Sequence, residues 1–302
     1  MKQLTGIGLK IGSAFLFTLM ATLIKTVSQD LPIGQQVFSR SFFALFPIFA
    51  MLAWRGEFRT ALRTDHLSSH LLRALISTAA MFCVFGALRF LPLPEATAIG
   101  YAAPLVTVVL AVLLLKEHVR IYRWSAVLVG LLGVLVILWP HLDGGTHEGG
   151  LVGAGLALGG ACGTALGVVQ VRRLIRTEGT PAVVFYFALL STAVGLATLP
   201  FGWVMPTAEQ AVTLVLIGLL GGTGQLLLTQ SYRTADASLI APFDYTTILY
   251  ATVLGYLVFG DVPTVWVATG SVIVIASGVF VILRERHLGI VRARARKAMP
   301  PA

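Results

Sequence analysis

The sequence predicts an all-α polytopic membrane protein, with ten transmembrane helices arranged as two inverted five-helix repeats. Three observations lead there: composition, the spacing of apolar stretches, and the side on which positive charge falls. Of 302 residues, 57% are hydrophobic and 12% charged, with a mean hydropathy of +0.87. Soluble domains do not reach such values. Apolar stretches occupy residues 6–27, 33–54, 71–90, 94–115, 124–138, 151–171, 181–204, 211–231, 242–259 and 265–283. Most approach the roughly 20 residues that cross about 30 Å of hydrocarbon. Basic residues crowd every second gap: Arg55, Arg59 and Arg63; Lys116, Arg120 and Arg123; Arg172, Arg173 and Arg176; and the tail with Arg284, Arg286, Arg292, Arg294, Arg296 and Lys297. Lys2, Arg73 and Arg233 are assigned to the same side, while the intervening gaps hold only Arg89. The positive-inside rule makes the basic side cytoplasmic, with both termini there. The expected location is the cell inner (plasma) membrane, multi-pass.

The first stretch has no small-residue cleavage site and carries Lys10 and Lys25, so it reads as a retained span. Sliding the chain over itself until Arg89 meets Arg233 also superposes Tyr101 on Tyr245, Leu105 on Leu249, Leu110 on Leu254, Leu113 on Leu257 and Glu117 on Asp261. Five spans per half is an odd number, so the second half starts from the opposite side of the membrane and the repeats are inverted. The expected boundaries are 1–140 for the first repeat, 141–150 for a turn-rich linker, 151–284 for the second repeat and 285–302 for a basic cytoplasmic tail.

The residues also carry a resemblance. The stretch 87–117 (ALRFLPLPEATAIGYAAPLVTVVLAVLLLKE), followed by Gly130 and Gly133, resembles the repeat of the drug/metabolite transporter superfamily, EamA type. So does 231–261 (SYRTADASLIAPFDYTTILYATVLGYLVFGD), with Gly270 and Gly278. The resemblance implies a ten-helix basket with a central cavity reached alternately from each side. It further implies that the first four helices of each half line the cavity while the fifth packs peripherally. The superfamily handles amino acids, nucleotide precursors, vitamins, metallophores and drugs, and some bacterial members resembling this chain are riboflavin transporters. The expected function is therefore a secondary transporter or facilitator of a small metabolite working by alternating access, with riboflavin uptake as the first reading. Export of amino acids, a metallophore or another small metabolite is the rival, and an intramembrane enzyme a remote third.

Individual residues are read against the cost of charge in a bilayer, at least about 2.5–3.5 kcal/mol at its centre. Arg40 lies roughly 11 Å below the outer end of its span at 1.5 Å per residue, too deep to snorkel easily. Gln36 stands one turn away at i−4, so an amide and a guanidinium could meet a carboxylate, phosphate or carbonyl together. Tyr101, Gln225, Asp244 and Tyr245 complete the expected substrate-binding set. Gln225 follows Gly221, Gly222 and Gly224, and Asp244 and Tyr245 follow Pro242 at a helix start. Helix packing and capping explain these residues equally well. Lys25 and Glu95 are the expected gating residues, with Glu95 pairing to Lys25 or Arg89, and proton coupling would rest on Glu95 or Asp244. Gly155, Gly159, Gly163 and Gly167 recur at steps of four and read as a close helix crossing.

Other classes lose support. The chain has no G-x-S-x-G, H-E-x-x-H or P-loop motif, so no catalytic residue is expected and ATP hydrolysis is excluded. No cofactor and no metal site is expected: Cys83 and Cys162 are single thiols in separate spans, and His66 and His70 read as members of a solvated basic loop with Asp65. The net charge of +9 is explained by loops and a tail facing anionic lipids, so no nucleic-acid partner is expected. The expected partners are a small-molecule substrate and the bilayer. The chain itself would be a monomer or homodimer, with Gly130 and Gly133 available for either internal or intermolecular packing.

Overall fold

The computed structural model describes residues 2–56, 63–115, 121–142, 149–175, 177–234 and 241–298; Glu117 and most of the 141–150 linker lie outside them. These residues form α1 (Lys2–Val27), α2 (Ile33–Phe43), α3 (Leu45–Arg55), α4 (Leu67–Phe90), α5 (Leu93–Gly100), α6 (Ala102–Leu115), α7 (Ile121–Leu142), α8 (Gly150–Leu174), α9 (Thr180–Leu196), α10 (Ala208–Thr234), α11 (Thr246–Phe259) and α12 (Val265–Ala298). Two 3-10 turns, Leu199–Phe201 and Ala241–Tyr245, complete the described structure, which contains no strand. The segments make ten rods, because α2 with α3 and α5 with α6 are interrupted spans. Both interruptions have a covalent cause. Proline has no N–H and its ring strikes the carbonyl four residues back; Pro47 ends α2 at Phe43, and Pro104 ends α5 at Gly100.

Five rods are long and apolar enough to cross a membrane: Leu4–Val27, Ile33–Trp54, Leu67–Phe90, Gly150–Val171 and Ala208–Thr234. On α7 the apolar character continues outward, with Leu128, Leu132 and Leu135 exposed while Val127, Val134 and Ile137 are buried. A helix apolar on all sides belongs in lipid or a large core. The third span starts at Leu67, not at residue 71, which corrects two expectations. His70 and Arg73 are 1% and 2% exposed inside α4, whereas His70 was expected in a solvated loop and Arg73 among the charges of the cytoplasmic side. The cause is the facing of the first turns: Leu67, Leu71, Leu72 and Leu75 point outward, so the polar residues between them point into the bundle.

Packing follows the exchange of two halves. α1 lies on α10 and α4 on α8, and swapping the halves turns one pair into the other. The pairs α7 with α12 and α2 with α9 map onto themselves. Tyr101 and Tyr245, equivalent in the sequence superposition, meet edge to face with centroids 5.3 Å apart, as residues near a two-fold between repeats should. The α7–α12 contact is built on Gly133 and Gly270. A Cβ on Gly133 would stand 2.8 Å from Val274 and 2.9 Å from the Gly270 carbonyl, so these glycines serve an internal crossing. The α8 stripe is used in part: a Cβ on Gly163 would stand 2.7 Å from Ala80 and one on Gly167 2.7 Å from Ser77, while Gly155 faces open space.

Candidate functional site

α2 and α4 each deliver one buried arginine to the same aromatic ring. Arg40 on α2 is 4% exposed and Arg73 on α4 is 2% exposed. Their guanidinium carbons lie 5.1 Å and 4.6 Å from the centroid of Phe187 on α9. Arg73 donates to the Val183 carbonyl on the same helix as Phe187, and the Nε atoms of both arginines lack an acceptor. Among the described residues no carboxylate is ion-paired with either. Contacts from three helices hold this arrangement. A Cβ on Gly221 of α10 would stand 3.1 Å from Arg40 Nε, so the glycine gives the guanidinium its room. A buried bond between the Thr78 and Ser191 hydroxyls, 2.7 Å long, ties α4 to α9.

Chemically this is a buried cationic cluster with no counter-charge among the described residues. A guanidinium over an aromatic face gains about 0.5–2 kcal/mol, far short of what removing a cation from water costs. Remaining donor capacity on planar guanidiniums matches a carboxylate or phosphate fork. Gln36 adds to the same helix. It is fully buried, its Nε2 donates to the Leu31 carbonyl at 2.8 Å, and its Oε1 is without a partner. The amide thus spends its donor on the entry of its own helix and keeps an acceptor free.

The other expected residues fall into two groups at opposite ends of α1. At one end, Lys10 is 3% exposed and pairs with Asp244 at 2.6 Å, with the Tyr232 hydroxyl 3.5 Å away. The Tyr101 hydroxyl donates weakly to the Asp244 and Tyr245 carbonyls at 3.5 Å and 3.4 Å. Gly278 leaves the space occupied by the Tyr245 hydroxyl. Gln225 reaches Thr229 on its own helix at 3.5 Å. At the other end, Lys25 donates to the Leu91 carbonyl at 2.9 Å and to Asp261 at 3.1 Å. Asp261 also accepts the Leu93 N–H at 3.1 Å, joining α1, the start of α5 and the loop after α11. Glu95 is 8% exposed in the first turn of α5. The sequence reading missed Arg73, Phe187 and Asp261. Arg73 was detectable as the polar member of a leucine-flanked helical turn; nothing distinguished Phe187 among 17 phenylalanines.

The EamA-like transporter family matches residues 4–139 and 151–284. The chain belongs to that family. As an EamA-like protein it is a multi-pass membrane transporter and not an enzyme. It is 26% identical over 249 residues, 82% of each chain, to the S-adenosylmethionine uptake transporter of Rickettsia prowazekii (strain Madrid E). It is 26% identical over 274 residues to the pseudopaline exporter of Pseudomonas aeruginosa (strain UCBPP-PA14), covering 90% of this chain and 94% of that one. A riboflavin transporter of Vibrio cholerae is 30% identical over 226 residues, 74% of each chain. A solved crystal structure shares the fold with a TM-score of 0.69 at 20% identity, over 94% of this chain and 98% of that one. Within the EamA-like fold, Arg40 and Arg73 come from the first matched segment and Phe187 from the second. The cluster they form straddles the two.

Proposed function

We propose that this chain is a secondary carrier for a small metabolite bearing a carboxylate, which Arg40 and Arg73 hold against Phe187 while the two halves rock around it. The observation that carries this reading is the pair of buried arginines sharing one ring, with no carboxylate paired to them among the described residues. A ligand anion there supplies the missing counter-charge, and a flat group of the same ligand has aromatic surface to lie on. S-adenosylmethionine and free amino acids both have an α-carboxylate, and the former adds a flat adenine. The positive-inside count supports cytoplasmic termini and, with them, a cytoplasmic Lys10 end of α1.

A second reading, riboflavin, is favoured by the relative that is 30% identical. Its ring carbonyls can accept from an arginine, but it brings no formal negative charge. The experiment is uptake into liposomes containing the purified protein, with labelled S-adenosylmethionine, riboflavin and an amino-acid mixture offered separately. Saturable movement of a carboxylate-bearing compound supports the first reading. Movement of riboflavin alone replaces it with the second, and retention of all three outside the liposomes counts against both.

A further inference from the structure

A second titratable cluster stands one helical turn from Arg73. His70 is 1% exposed, and neither of its ring nitrogens has a hydrogen-bond partner. A neutral imidazole has one donor and one acceptor, and groups buried this deeply are almost always satisfied. Its Nε2 lies 4.0 Å from Glu178 Oε1, too long for a hydrogen bond but within reach of one rotamer change or one bridging water. Glu178 is 7% exposed. Its carboxylate accepts from Thr64 at 2.6 Å and its backbone carbonyl accepts from Arg233 at 2.7 Å. The same carboxylate-bearing residue lines a polar cavity of about 600 Å3 together with Arg63, Asp65, His66 and Tyr186.

Among the described residues, the charged and titratable groups around His70 come from five helices and one turn. On α4 they are His66 and Arg73. The turn before α9 contributes Glu178, and α9 itself contributes Tyr186, whose ring is 4.7 Å from the imidazole. From α2 comes Arg40, which shares Phe187 with Arg73. α8 ends beside Glu178, with Arg173 exposed. Lys10 of α1 is engaged with Asp244. From the cavity inward stand Glu178, His70 at 4.0 Å from it, Arg73 one turn further along α4, and Arg40 at the Phe187 ring it shares with Arg73.

We propose that His70 and Glu178 form a proton-binding site, filled from the 600 Å3 cavity and coupled to the anion held by Arg73 and Arg40; the coupling rests on the transport reading above. A hydronium ion in the cavity gives its proton to the Glu178 carboxylate, leaving water, and the proton passes to a ring nitrogen of His70, leaving Glu178 ionised. No other bond forms or breaks. The imidazolium adds a third positive charge beside the two arginines, so an anion binds more tightly when His70 is charged, and the bound anion in turn favours the proton. As pH rises through the His70 titration, anion affinity falls. Anion and proton then travel together. Asp244, an expected proton carrier, is instead engaged by Lys10.

The test is ring-carbon NMR of histidine-labelled full-length protein in detergent from pH 5 to 9, using wild type, His70→Gln, Glu178→Gln and, as a remote control on α12, His287→Gln, each first checked for monodispersity. The expected result is a titrating signal that is absent in His70→Gln, moves by about one pH unit or more in Glu178→Gln and is unchanged in His287→Gln. Should His70→Gln fail to fold, the Glu178→Gln and His287→Gln spectra decide alone. A His70 signal that does not titrate, or ignores Glu178→Gln, overturns the site. The same proteins in liposomes then receive the three labelled compounds with and without an inward proton gradient. Gradient-driven accumulation in wild type that is lost in Glu178→Gln supports coupling, and gradient-independent transport overturns it. A normal titration with none of the three compounds moved leaves the proton site standing and removes the substrate reading.

Discussion

The guanidinium carbons of Arg40 and Arg73 lie 5.1 Å and 4.6 Å from one ring centroid, that of Phe187. The two cations come from helices of the first half and the ring from the second. Any movement of the halves against each other must change this contact. A carrier of the kind proposed above, rocking its halves around a carboxylate, would need a contact placed in this way.

The ring and the charges should be separable by substitution. Phe187→Leu keeps the apolar volume but removes the aromatic face, so apparent affinity is expected to weaken by about three- to tenfold, in line with a cation–π contribution of about 0.5–1.5 kcal/mol. Arg40→Lys keeps a charge but loses the planar fork, and a larger loss than for Phe187→Leu is expected. Concentration dependence of uptake in liposomes gives both values. Equal or better uptake by Arg40→Lys would show that a point charge suffices there.

Lys10 and Asp244 should respond unequally to loss of the partner. Lys10 is 3% exposed, whereas the Asp244 side chain is 43% exposed. In Asp244→Asn an ammonium stays buried beside Tyr232, with an expected cost of about 1–3 kcal/mol. In Lys10→Met the carboxylate can turn to water, and the cost should stay under about 1 kcal/mol. Thermal unfolding in micelles checks the order; a reversed order contradicts the burial argument.

The helix crossings make a similar contrast. Gly270→Val places side-chain atoms against Ile137 and the Gly133 carbonyl, and should destabilise by about 1–3 kcal/mol or prevent folding. Gly155→Ala meets nothing within 4 Å and should be neutral or stabilise its helix by about 0.5–1 kcal/mol. Yield of monodisperse protein and melting temperature measure both. A Gly270→Val protein as stable as wild type would mean that α7 and α12 are not packed this closely.

The orientation inferred from basic residues predicts cytoplasmic termini. A green fluorescent protein fused after Ala302 should fluoresce, and an alkaline phosphatase fused there should be inactive. The opposite result at this single junction would reverse the side from which the His70 and Glu178 site is filled.

Much of the fold was legible because its determinants are local. Apolar length located the spans, and Tyr101 and Tyr245, superposed in the sequence, meet in space; the breaks before Pro47 and Pro104 were not read, because apolar length alone treats each stretch as continuous. Arg40 was singled out because an arginine deep in a span has few alternatives. Arg73 and His70 were misplaced for a related reason. Polar residues in the first two turns of α4 lower its apparent hydropathy, and only the outward facing of Leu67, Leu71, Leu72 and Leu75 shows that the helix has already begun. Phe187, Glu178 and Asp261 depend on which helices become neighbours across more than a hundred positions, and no local pattern carries that information.

The most direct measurement is initial-rate uptake of the three labelled compounds into liposomes by wild type, Arg40→Gln and Arg73→Gln at equal protein density. The account predicts that a carboxylate-bearing compound enters through wild type and that each variant lowers its uptake at low concentration by about tenfold or more, the equivalent of roughly 1.4 kcal/mol. Uptake of that compound unchanged in both variants would contradict the arginine site, and carrier-dependent uptake confined to riboflavin would contradict the carboxylate.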